Sequence, residues 1–165
     1  MTGILQSGNI TPGHVAIWAT TGVISDGGPL RSATNVLAYL GSASFNATTD
    51  QGIQIPNTIT AFQITGILIT NASQSLTTAV GGFYPTTAKG GTAIVANTQV
   101  YSSLTTAAIL LSATLAAGGN TTRYSSANVD NVDGYLTIYL SLTTPQGTDC
   151  TADVYLLGTD LTITG

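Results

Sequence analysis

Three stretches of this chain repeat their side-chain character with a period of two, and that alternation limits the fold more than any other feature. "YLTIYLSLTT" (135–144) sets Leu136, Ile138, Leu140 and Leu142 on one face and Tyr135, Thr137, Tyr139 and Ser141 on the other, which predicts a strand with one greasy face. "TITAFQITGILITNAS" (58–73) is rich in Ile, Thr and Phe, with Ile59 and Ala61, then Ile67 and Ile69, in alternation and Gly66 placed for a bulge. "TADVYLLGTDLTITG" (151–165) predicts a third strand interrupted by Gly158. Weaker strands are expected in "NVLAYLGS", "GIQIP", "SLTTAVGGFYP", "GTAIVA" and "AAILLSATLA". Between the last two, "TQVYSSLT" fits one short helix, with Val100, Tyr101 and Leu104 on one face. "NATTDQG", "TTAKGG", "AAGGN", "DNVDG" and "TPQGTD" separate these segments as turns. Short strands at this spacing predict an all-β chain, a jelly-roll-like β-sandwich over residues 31–165.

Residues 1–30 are a different kind of segment, expected to form a short β-hairpin or an extended arm. "SGNITPGHVAIWATTGVISDGGP" holds the chain's only histidine, His14, and its only tryptophan, Trp18. It reads as two strands around "TTG", entered by "TPG" and left by "DGGP". Val15 and Ile17 share one face, Ala16 and Trp18 the other, and Gly22 suits the positive φ of a hairpin turn. A histidine acting as base or metal ligand needs partners. Here there is no second His, no HxxxH or CxxC spacing, and Asp26 lies beyond the turn rather than beside His14. His14 and Trp18 are therefore expected to be packing residues.

Charge narrows the function classes. Only 6% of the 165 residues are charged, against a usual ~25%. Three are basic (Arg31, Lys89 and Arg123), seven are aspartate and none is glutamate, for a net charge of −4 and a pI near 4.2. Three scattered cations cannot make a phosphate-binding stripe or a polybasic membrane surface, so neither nucleic acid nor membrane is expected as a partner. With 43% hydrophobic residues the chain should nonetheless fold. A polar surface made of Thr, Ser, Asn, Gln and backbone suits a subunit largely covered by neighbours. Cys150 is single, so no intrachain disulfide is possible. "MTGILQSGNITPG" lacks the basic and apolar regions of a signal peptide, and "TTAAILLSATLAAGG" is too short to span a bilayer. Asn9, Asn46, Asn71 and Asn120 lie in N-x-S/T sequons, which a Thr-rich sequence generates by chance.

No catalytic, cofactor-binding or metal residues are assigned, and the chain is expected not to be an enzyme. "GYLTIYLS" and "GSASF" lack the G-x-S-x-G elbow of a serine hydrolase. "KGG" and "AAGG" are glycine turns without a phosphate-loop pattern. Asp130 and Asp133 are close in sequence, but "VDNVDG" is first a turn motif and misses the D-x-[DN]-x-[DN]-G calcium register. Asp130, Asn131 and Asp133 remain a weak surface calcium alternative on ligand type alone. Tyr84, Tyr101, Tyr124, Tyr135, Tyr139 and Tyr155 fit either a sugar-binding face or, as favoured here, core and interface packing.

"GNITPGHVAIWATTGVISDGGP" resembles a segment near the N-termini of virion proteins of tailed bacteriophages, fibres and capsid-associated proteins among them. Its pattern is Gly-Asn-x-x-x-Gly, a hydrophobic strand, a small turn and I-x-D-x-G. The stretches from "TAFQITGILITNAS" through "AVGGFYPTTAKGGTAIVA" to "YLSLTTPQGTDCTADVYLLG" are similar to small phage proteins encoded near head genes. The resemblance implies a structural virion protein without cofactor or catalytic residues. The expected role is capsid decoration: a cement protein on the outer surface of the head, with the major capsid protein and copies of itself, as homodimer or homotrimer, for partners. A head-fibre or tail adaptor or receptor-binding domain is the alternative. The acidic balance suits the outside of a capsid better than its DNA-lined interior.

Overall fold

The computed structural model describes residues 5–7, 14–20 and 23–29 by their backbone, residues 35–162 by their backbone, and residues 36–162 also by their side chains. Contacts divide the chain into two units, Met1–Ala33 and Thr34–Gly165. In the first, β1 (Leu5–Ser7), β2 (His14–Thr20) and β3 (Val23–Pro29) form a sheet with β3 at its centre. β1 runs parallel to β3, and β2 pairs with it antiparallel, from His14↔Pro29 to Thr20↔Val23. The turn expected at Gly22, and the side chains of His14 and Trp18, lie outside the described residues.

The second unit is a β-sandwich of two antiparallel sheets, and among its described residues there is no helix. Its strands are β4 (Asn35–Ser44), β5 (Gln51–Gln54), β6 (Ala61–Thr70), β7 (Val80–Tyr84), β8 (Leu111–Ser112), β9 (Tyr124–Ser125), β10 (Asp130–Val132), β11 (Tyr135–Thr144) and β12 (Thr151–Asp160). One sheet has β11 at its centre, with β5 on one edge and β10 followed by β7 along the other. The second runs β4-β12-β6, with β8 and β9 sharing the far edge of β6. Between the sheets lie Phe45, Ile53, Ile64, Ile67, Ile69, Phe83, Ile138, Leu140, Val154 and Leu156, all fully buried. β10 and β11 are joined by the two-residue turn Asp133–Gly134, with φ of 53° and 86°. Two successive positive φ values make the tight turn whose twist matches the strands, and Asp-Gly is one of the pairs that adopt it readily. "DNVDG" is thus half strand and half turn.

The main correction concerns β11. Its greasy face was expected to oppose a polar one, but Thr137, Tyr139 and Ser141 are as buried as Leu136, Ile138, Leu140 and Leu142. The cause is the loop after β7. Ala88 and Lys89 both take left-handed φ, of 55° and 57°. The Ala88 N–H donates to Asp50 Oδ2 at 2.6 Å, and the Thr87 N–H donates to Asp130 Oδ2 at 3.0 Å. Asp130 opens β10 and Asp50 precedes β5, so the loop is tied at both edges of the sheet and crosses the outer side of β11. The Lys89 ammonium donates to the Leu142 carbonyl at 3.3 Å.

Three other expectations change. "TQVYSSLT" is not helical: Tyr101 and Leu104 are core residues, while Val100 is 53% exposed. Tyr101 plugs the sandwich edge-on to Phe45, ring centroids 5.0 Å apart, and its hydroxyl donates to the Gly81 carbonyl at 3.1 Å. That packing outweighs a single turn of helical spacing. "GTAIVA" forms no strand, although Val95 bridges Phe83 and Leu115, and of "AAILLSATLA" only Leu111–Ser112 is strand. Short apolar runs can be buried as extended loop when a neighbouring backbone accepts their hydrogen bonds, as the Phe83 carbonyl does for Ile94 N–H at 2.8 Å.

The two strand glycines are not equivalent. The β6–β12 register shifts between Leu157 and Gly158, where Thr65 is the extra residue beside Gly66. A Cβ on Gly66 would meet only Leu157, at 3.7 Å. A Cβ on Gly158 would run into the Gln63 carbonyl oxygen and lie 2.5 Å from Leu37 Cδ1. Gly158→Ala is therefore expected to cost ~1–3 kcal/mol, the range of core overpacking, while Gly66→Ala stays near wild type. Urea unfolding of the two variants checks this, and equal midpoints would refute it.

Candidate interaction surface

The outer side of the β4-β12-β6 sheet carries a set of neighbouring apolar side chains. Cross-strand partners share a face, so the register defines two rows. Tyr39 on β4 faces Tyr155 on β12, which faces Leu68 on β6, which faces Ser112 on β8. One step along, Val36 faces Leu157, which faces Gly66. Val36 and Tyr39 are 54% and 52% exposed, and Leu68, Tyr155 and Leu157 are half-buried.

Tyr39 is held in place although it is exposed. Its ring lies over Gly41, where a Cβ would come within 3.1 Å of Cε1, and beside Tyr155 with centroids 4.8 Å apart and planes tilted by 38°. Its phenol reaches Asp153. Asp153 also accepts the Ser42 N–H at 2.9 Å and the Asn71 Nδ2 at 3.0 Å. The Ser42 backbone donor is the main reason its carboxyl is held below the usual aspartate range; the Asn71 and Tyr39 donors add to this, and partial desolvation opposes it. The Tyr39 phenol is pushed up, by desolvation and then by the Asp153 charge. The carboxylate on this face is thus committed to the protein's own donors.

Four other aspartates are used in the same way. Asp50 and Asp130 anchor the loop after β7, Asp160 accepts the Thr162 N–H at 2.8 Å, and Asp149 accepts the Asn46 amide at 3.2 Å. Asp130, once an alternative calcium ligand with Asn131 and Asp133, is tied to Thr87 and Tyr139, whereas Asp133 sits in the hairpin turn. Among the described residues no group of three or more His, Cys, Asp or Glu is placed to hold a metal ion. Cys150 is buried, and that burial pushes its thiol pKa up, away from the reactive thiolate.

Of the six tyrosines considered for a sugar face, Tyr84, Tyr101, Tyr124 and Tyr139 are buried, Tyr135 is half-buried, and only Tyr155 lies on this surface. Its partner Tyr39 escaped sequence reasoning because β4 is bulged twice: the partners of β12 jump from Ala43 to Leu40 and from Ala38 to Val36. The second bulge, at Leu37, puts Val36 and Tyr39, three apart, on one face, so period-two counting separates them. The glycine two residues after Tyr39, which makes room for the ring, was the available signal.

A cleft of about 390 Å³ lies elsewhere, between Pro85, Thr86, Gly91, Thr92, Thr122, Tyr124 and Asn128. Tyr124 is buried and stacked on Phe62, and the Asn128 amide already binds Ser125 N–H and the Arg123 carbonyl. Neither can offer a ligand what a built site needs.

No family model matches the chain, no curated protein matches it, and no solved structure matches it.

The arrangement has a pH signature. A carboxyl whose folded pKa lies below its unfolded value adds stability above the unfolded value and loses it as pH falls through the folded one. The Ser42 amide resonance is expected to titrate at a pH below the ordinary aspartate range, and Asp153→Asn should abolish that step. A Ser42 transition unchanged in Asp153→Asn would assign it to another group.

Proposed function

We propose that this chain is a structural virion protein of a tailed bacteriophage, a capsid decoration protein that binds the outside of the head and stabilises contacts between major capsid subunits. The observation that carries this reading is an apolar sheet face, with its one carboxylate internally bonded, on a chain with 6% charged residues. Such a surface gains free energy by being covered, through apolar area removed from water, and offers little to a charged ligand. The resemblance of residues 8–29 to virion segments supplies the setting, and the acidic balance suits the outer shell. In this reading the sandwich is of jelly-roll type, and no residue is catalytic. Residues 1–30 serve as the arm, adding strands to a neighbouring sheet edge. Lattice contacts of ~1,000 Å² each are enough for specific association.

A second reading, a head-fibre or tail receptor-binding domain, is favoured by one specific observation: the exposed Tyr39–Tyr155 pair is an aromatic platform of the kind sugars stack on.

Purified protein mixed with capsids of its phage that lack it, then sedimented and imaged, separates the two. Decoration requires stoichiometric density repeated with the symmetry of the head shell. Density at a single vertex or the tail, or binding only to cell-surface glycan, transfers the function to the second reading. Deleting residues 1–29 is expected to leave a folded domain with weakened capsid binding; an unfolded product would place the segment in the core.

A further inference from the structure

We infer that the outer face of the β4-β12-β6 sheet is the contact between two copies of this chain. The inference deepens the decoration reading, on which its expectation of self-association rests, by naming the surface that does it.

Charge is the first argument. The face joins apolar rows to a carboxylate already bonded to Ser42, Asn71 and Tyr39. A partner bearing charge would find no counter-charge there and would lose hydration. The fitting partner is equally apolar and neutral, and this face is itself such a surface.

Shape is the second. In a twofold dimer each patch meets itself. With the axis along β12, each copy's β4 lies over the other copy's β6. The fixed, projecting Tyr39 then sits over Leu68 and the gap that Gly66 leaves beside it, where only Leu157 lies near the missing Cβ. One ridge and one hollow, on opposite sides of the axis, match twice. An exposed aromatic already locked by Gly41, Tyr155 and Asp153 loses little side-chain entropy on docking, as interface anchors do.

Size is the third. β4, β12 and β6 are ten residues each, so the face measures about 33 Å by about 14 Å from standard strand spacings. Two copies would cover at most roughly 900 Å² of projected area, below the ~1,000 Å² of a stable interface and in the range of a weak, reversible one. The edge of β4 is a poorer route to association. It carries two bulges, and the Gln51 side-chain amide already pairs with both the N–H and the carbonyl of Ser44, at 2.6 and 2.7 Å.

Sedimentation velocity of the full chain, without capsids, over about 1 to 200 μM tests this alongside Tyr39→Lys, Gly66→Lys and Asn131→Lys, an exposed position on β10 of the opposite sheet. A reversible dimer is expected, weakened about tenfold or more by each of the first two changes and unaffected by Asn131→Lys. Thermal melting confirms that the variants fold; Tyr39 is exposed and Gly66 has room for a side chain, so both should. A monomer at every concentration overturns the inference, as does a dimer indifferent to both face variants, or a trimer. Monomeric protein whose capsid binding is lost in Tyr39→Lys would also overturn it, placing a capsid subunit on this face and leaving the decoration reading intact. A face-dependent dimer that does not bind capsids supports the inference and counts against decoration alone.

Discussion

The sandwich depends on one strand being closed on every side. β11 is hydrogen-bonded along both edges, by β5 and by β10 and β7, and both of its faces are dry. A strand in that position cannot present Thr137, Tyr139 and Ser141 to water, so each polar atom needs a partner inside the protein. Thr137 Oγ1 donates to the Tyr135 carbonyl at 3.1 Å, and Tyr139 reaches Asp130. Among the described residues no buried side-chain nitrogen or oxygen is left without a hydrogen bond. The cover itself is a loop with two left-handed residues, Ala88 and Lys89, held by the successive N–H groups of Thr87 and Ala88, which donate to Asp130 and Asp50. If those carboxylates failed to hold it, the outer face of the central strand would open to solvent.

Aspartate suits this work. A short carboxylate on a strand end or turn reaches a nearby backbone N–H with few rotors to freeze, and a longer side chain would pay more entropy for the same bond. Asp50, Asp130, Asp153 and Asp160 each accept one backbone N–H, and Asp149 holds an asparagine amide. The chain therefore spends much of its negative charge on its own loops. Low charge content and neutral faces are two consequences of the same economy of side chains.

How far this could be read from sequence follows from the same physics. β6, β11 and β12 were legible because their apolar residues recur over ten-residue spans, even with the break at Thr65 in β6, and β4, β5 and β7 were found with weaker periodicity. The two-residue β9 and three-residue β10 are too short to carry a period. Burial of both faces of β11 was hidden because the covering loop, "TTAKGG", reads locally as an ordinary turn; only the long-range bonds to Asp50 and Asp130 fold it inward. The helix expected at 98–105 failed for a related reason. Tyr101 and Leu104 are three apart whether they line a helix or are the two ends of a turn, and the Tyr101 hydroxyl reaching Gly81 decides for the turn. The aromatic face went unseen because the bulges that create it break the alternation on which such faces are found.

Those bulges also decide how the surface can be used. A regular ten-residue edge strand offers a row of unpaired backbone groups, and strand addition would be the natural mode of association. β4 is not regular. Ser42 at φ 53° turns its N–H into Asp153, Gln51 closes the end at Ser44, and the extra residue between Ala38 and Val36 interrupts the remainder. The same irregularities tilt Val36 and Tyr39 onto the outer face and fix the tyrosine ring against Gly41 and Tyr155. Edge protection and face presentation are thus one structural event. A sheet so arranged resists open-ended strand pairing along the β4 edge while leaving Val36 and Tyr39 exposed on its outer face.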